Sequence, residues 1–132
     1  MSEVVFSQEY ERRAYDPPIP VLDVGVRRPG TNAPAIIVEA VVDTGADGSL
    51  FPLDILEQAG AAFVDRGYMR GITGQRQAVD LYLITVYIGR LRITGVRAVA
   101  LPPGNTAILG RDVLNQLDLA LRGLASVTEV LA

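Results

Sequence analysis

The stretch Ala35-Ile36-Ile37-Val38-Glu39-Ala40-Val41-Val42-Asp43-Thr44-Gly45-Ala46-Asp47 sets the fold of this chain. Its first eight residues are dominated by Val, Ile and Ala, a composition that suits a pleated strand buried on one side or both. Asp43-Thr44-Gly45 then breaks the run. A glycine two residues after an Asp permits a sharp loop, and a loop at a strand exit holds a carboxylate toward a cleft instead of bulk solvent. The same Asp-x-Gly pattern also closes ordinary turns by side-chain to backbone hydrogen bonds, so its meaning rests on the surrounding sequence.

Outward from this segment, short apolar runs alternate with turn residues. Gly and Pro together make up 21 of the 132 residues, about 16% against an average near 12%, and they fall between runs at 19–26, 35–42, 61–70, 77–88 and 91–101, all expected to be strands. Arg27-Arg28-Pro29-Gly30-Thr31-Asn32 supplies turn chemistry between the first two, and Gly89 sits where a tight hairpin requires positive φ. The 81–88 run is apolar on both alternating faces, which predicts cover on both sides. Two short helices are expected: one after Pro52 with Gly60 as its C-terminal cap, and one over 111–117 with Val113, Leu114 and Leu117 on one face. Residues 117–121 and 126–131 have the content of two further strands, and residues 1–18 are expected to be an extended N-terminal segment, irregular from 14 to 20. The length suits one domain spanning 1–132.

Composition excludes much chemistry. The chain has no Cys, no His and no Lys; all twelve basic residues are Arg. That removes disulfides, thiolate nucleophiles, imidazole or thiolate metal ligands, Ser-His-Asp triads and Schiff bases, so no metal and no cofactor is expected. A formal charge of −3 with scattered arginines offers no footprint for nucleic acid. No apolar run approaches the roughly 20 residues of a membrane helix, and the N-terminus lacks the basic start of a signal peptide, so a cytoplasmic protein without membrane partners is expected.

With Val41-Val42 before Asp43, Thr44-Gly45-Ala46 after it, and Ala107-Ile108-Leu109-Gly110-Arg111-Asp112 further on, the chain resembles the retropepsin-like aspartic proteases from about residue 19 to 121. The resemblance implies an all-β fold, a small closed β-barrel of the retropepsin (acid protease) type with one or two short helices, and an active site completed only when two identical subunits meet. It further implies an aspartic endopeptidase in which Asp43 is the catalytic carboxylate, the Thr44 hydroxyl donates a hydrogen bond across the subunits and Gly45 lets the substrate backbone approach. Asp47, after the active-site loop, and Arg111, at the start of the C-terminal helix beside Gly110, would brace the loop; two independent surface charges are the plainer alternative. Ala46 and Asp47 would also face substrate.

Peptide hydrolysis by carboxylates needs two of them sharing a proton at about 3 Å. The chain has a single Asp-Thr-Gly; Asp23-Val24-Gly25 and Asp65-Arg66-Gly67 lack the hydroxyl residue. The second carboxylate is therefore expected from Asp43 of a symmetry mate, with inactive monomers and a bell-shaped pH profile belonging to the pair. The segment 68–76 has the position of a flap over the site, with Gly71, Ile72 and Gly74 as expected substrate-facing residues and an Arg on each side; an ordinary hairpin tip is the plainer reading. Tyr68 is expected to be a half-buried strand residue, with a place in a pocket wall as the alternative. Residues 3–7 and 126–131 have strand content, and the resemblance implies that they interleave across a dimer; frayed ends are the alternative for the first residues. Two readings without proteolysis stand beside the protease: a dimerisation or peptide-binding module on the retropepsin fold, and a β-rich barrel for a small ligand.

Overall fold

The computed structural model describes residues 3–132. Ten strands and two short helices follow one another: β1 (Val4–Glu9), β2 (Val21–Arg27), β3 (Ile36–Val42), β4 (Leu50–Pro52), α1 (Leu53–Gln58), β5 (Ala62–Arg70), β6 (Arg76–Ile88), β7 (Leu91–Leu101), β8 (Ala107–Leu109), α2 (Arg111–Leu114), β9 (Asp118–Arg122) and β10 (Val127–Leu131). Strands β2, β3, β8, β4, β7 and β6 pair in that order, and β6 returns to β2, closing a six-stranded barrel. Pairing is antiparallel except between β3 and β8 and between β4 and β7. Strand β5 is a hairpin extension on the outer edge of β6.

The core follows from strand periodicity. Leu22, Val24 and Val26 of β2 point inward with Ala40 and Val42 of β3 and Ile84, Val86 and Ile88 of β6, all buried. In β7 the inward set changes phase, from Ile93 to Val96 and Ala98. A register shift against β6 absorbs the extra residue, and Gly95 in that bulge has φ +72°. A bulge of this kind bends the strand around the barrel and restarts the alternation one residue later. Within 81–88, residues 84, 85, 86 and 88 are buried, so two-sided cover holds for the second half of the run.

The expected strands all form, within two residues of their expected ends. Gly89 takes φ +57° in the β6–β7 turn, and Phe6 of β1 packs over the space where its Cβ would be. Pro52 is the N-cap of α1 instead of its first residue, and Gly60 follows the C-cap Ala59 with φ +71°. Two expectations need correction. The second helix stops at Leu114, because the next amides bond three residues back, Gln116 to Val113 and Leu117 to Leu114, and the chain turns into β9. The two three-residue strands β4 and β8, too short for any periodicity, come from parallel pairing with β7 and β3. The strand content expected near the N-terminus is realised within the chain: β1 pairs with β10, β10 pairs with β9, and Glu11 bridges Ile19. Residues 1 and 2 of the N-terminal segment lie outside the described residues. No described helix is long and apolar enough to cross a membrane.

Candidate active site

Asp43 leaves the barrel at the end of β3, where its amide donates to Leu109 O of the neighbouring β8 at 3.1 Å. The loop turns at once: Ala46 N donates to Asp43 O at 3.2 Å, and Gly45 N donates to Asp43 Oδ1 at 2.9 Å. Asp43 therefore caps its own turn with one oxygen. Its Oδ2 takes no hydrogen bond among the described residues, and the half-buried side chain borders an open cavity of about 500 Å³.

The loop is locked from behind by the start of α2. A Cβ on Gly110 would lie 2.5 Å from both C and O of Gly48 and 2.9 Å from Ala46 O. Its φ is −92°, which any residue adopts, so close approach of two backbones is what requires glycine here. Arg111 reaches over the same loop: its amide donates to Ala46 O at 2.9 Å, its Nη1 to Thr44 O at 2.8 Å, and its Nη2 meets the Asp47 carboxylate. The structure thus brings Asp47 and Arg111 together, with the Asp47 side chain 93% exposed. An ion pair so exposed adds less than about 1 kcal/mol, so the bond to the Thr44 carbonyl is the firmer tie.

A third brace escaped the sequence. Ser49 is fully buried; its hydroxyl donates to Asp112 Oδ1 at 2.7 Å and accepts from Gly110 N at 3.0 Å, while its amide donates to Asp112 Oδ2 at 3.1 Å. Asp112 Oδ1 also accepts from Val113 N at 2.9 Å. The position of Asp112 directly after Gly110-Arg111 was the available signal, but nothing local says that it meets a serine 63 residues away.

Across the cavity, β5, β6 and β7 present Tyr68, Met69, Arg70, Leu81, Arg97 and Val99. Tyr68 is exposed at 65%, not half-buried, because the hairpin projects beyond the barrel; the Arg76 guanidinium covers its ring at 4.4 Å. The tip closes by Gly71 N to Gln75 O and Gly74 N to Gly71 O, both 2.9 Å, with Gly74 at φ +82°. Gly71, Ile72 and Gly74 stay out of the cavity wall in the single chain, and Ile72 is fully exposed at the tip. Ala46 and Asp47 do line it, whereas Thr44 is exposed beside it. No cluster of three or more acidic side chains suited to a metal ion occurs among the described residues.

Residues 35–116 match the family model described as "gag-polyprotein putative aspartyl protease". The chain belongs to that aspartyl protease family. No curated protein matches it in sequence. Among solved structures, it is similar to a retropepsin-like aspartic protease from Rickettsia conorii, with a TM-score of 0.63 and 14% identity over 99% of this chain and 94% of that one. It is also similar to EIAV protease in complex with the inhibitor HBY-793, with a TM-score of 0.55 and 19% identity over 74% and 86% of the two chains. The fold is that of the retropepsins: a closed six-stranded barrel with two short helices.

Proposed function

We propose that this aspartyl protease family member is an endopeptidase that hydrolyses peptide bonds with a water activated between the Asp43 carboxylates of a homodimer. The observation that carries the reading is the cavity's acid inventory. Among the described residues only Asp43 and Asp47 line it with carboxylates, and Asp47 is engaged by Arg111. One free carboxylate is half of the machinery that this chemistry needs, and a two-fold axis supplies the other half. The exposed Thr44 hydroxyl and the exposed flap tip are then surfaces for the second subunit.

In the closed dimer the two Asp43 side chains share one proton, since like charges about 3 Å apart resist double ionisation. The ionised partner takes a proton from water as its oxygen attacks the carbonyl carbon, and the protonated partner hydrogen-bonds the carbonyl oxygen. Collapse of the tetrahedral species passes a proton to the departing nitrogen. The fixed loop matters here: one oxygen held by Gly45 N keeps the carboxylate in place before substrate arrives.

The test is cleavage of an unstructured peptide mixture by wild type and Asp43→Asn across protein concentration and from acidic to neutral pH. Activity that rises faster than linearly with protein and is lost in Asp43→Asn is expected. Cleavage retained in Asp43→Asn would sink the mechanism.

A further inference from the structure

Beside Asp43 the cavity wall is a continuous cross-strand row. Leu50 of β4 is paired with Val99 of β7, Val99 with Leu81 of β6, and Leu81 with Asp65 of β5. Arg97 lies two residues before Val99 and hence on the same face of β7. Leu50, Leu81, Val99 and Arg97 all border the cavity. An aliphatic floor therefore ends at a guanidinium.

Among the described residues, the only acid that Arg97 meets is Asp65, at 3.7 Å from Nη1, with no hydrogen bond between them, and the two side chains are 61% and 59% exposed. Arg97 thus keeps its donor fork unspent. Arg70 also borders the cavity and forms no ion pair among the described residues. Asp47, the other acid on the wall besides Asp43, is already met by Arg111. Charge on this side of the cleft is positive.

We infer that Arg97 is a specificity-determining residue, making the Leu50–Val99–Leu81 floor a subsite for an acidic substrate side chain, glutamate above all. This rests on the reading that the cleft takes a peptide. The two methylenes of a glutamate lie along the aliphatic row and its carboxylate meets Arg97 in place of Asp65, whose contact is too long to compete with a bidentate pair. Glutamine fills the same space without the charge, and lysine faces Arg97 and Arg70. In a two-fold dimer each subunit carries one such subsite, so the preference falls on both sides of the cleaved bond.

The test uses ten-residue peptides, apolar at the two central positions, carrying Glu, Gln or Lys at each flanking position in turn. Cleavage is compared for wild type, Arg97→Gln, Arg97→Glu and Asp65→Asn, and the same peptides are titrated by fluorescence anisotropy into Asp43→Asn protein with and without Arg97→Gln. The expected result is a Glu-over-Gln preference of about five- to tenfold in kcat/KM at one position on each side, the scale of a charge-assisted contact. It falls to about unity in Arg97→Gln, turns toward Lys in Arg97→Glu, and grows in Asp65→Asn. A purely structural role would slow all peptides equally and leave the ratio unmoved. Arg97-dependent Glu preference in binding without any cleavage supports the subsite while removing the proteolytic reading. Asp43-dependent cleavage with a Glu-to-Gln ratio indifferent to Arg97, or no peptide binding at all, overturns the inference.

Discussion

Gly110→Ala is the substitution for which the structure dictates the largest local cost. The added methyl would sit 2.5 Å from two backbone atoms of Gly48, against 3.4 Å for ordinary contact, so about 0.9 Å must be found by moving backbone. No rotamer change relieves it. Gly48 lies between Asp47, tied to Arg111, and Ser49, whose hydroxyl links Asp112 to the Gly110 amide. Overpacking of this kind costs about 1–3 kcal/mol, and loosening one or two hydrogen bonds of the buried network adds about 1 kcal/mol each. A total of roughly 2–5 kcal/mol is a large fraction of the 5–15 kcal/mol typical of a domain, and corresponds to a fall in Tm of about 7–18 °C at this size. Denaturant melts followed by circular dichroism at one fixed protein concentration read it directly, with fixed concentration essential if dimerisation contributes. The control is Gly48→Ala, from the opposite side of the same contact: its Cβ meets nothing within 4 Å and its φ lies outside the left-handed region, so it should cost less than about 1 kcal/mol. Equal effects of the two, or Gly110→Ala within 0.5 kcal/mol of wild type by this measure, would refute the close approach of loop and helix.

Other outcomes follow from the same loop. Ser49→Ala strands a buried Gly110 amide and should cost about 1–3 kcal/mol in the same melts, more than Ser49→Thr. Arg111→Met should lower peptide cleavage more than Asp47→Asn, because only the first removes the bond to Thr44 O; equal losses in kcat/KM would show that the exposed ion pair is the working brace. On β3, desolvation and the neighbouring Glu11 and Asp23 carboxylates push the Glu39 carboxyl above its usual 4.5. A raised carboxyl favours the folded state while protonated, and that advantage is lost as pH rises through its folded value. Glu39→Gln should therefore stabilise at pH 7, by no more than about 0.5 kcal/mol at so exposed a site, and the gain should vanish below about pH 4.5, as pH-dependent melts would show.

The longer strands and both turn glycines at 60 and 89 were legible in the sequence, because apolar periodicity and positive φ are local properties. The position of Asp43 at a strand exit was legible for the same reason. What stayed hidden was non-local. Strands β4 and β8 exist because β7 and β3 offer unpaired edges, and the partner of the N-terminal strand β1 is β10, from the other end of the same chain. The burial of Ser49 against Asp112 and the exposure of Tyr68 on the projecting hairpin depend likewise on where distant segments pass.

By itself the sequence determined the longer strands, the exclusion of thiol and imidazole chemistry, and the carboxylate at the loop, since these depend on residue type and spacing along one strand. Only the tertiary structure decided that the barrel closes between β2 and β6, that Gly110 is pressed against Gly48, and that Arg97 shares a wall with Leu50, Leu81 and Val99. Those relations join residues tens of positions apart, and the register of strand pairing, which no single strand contains, is what brings them together.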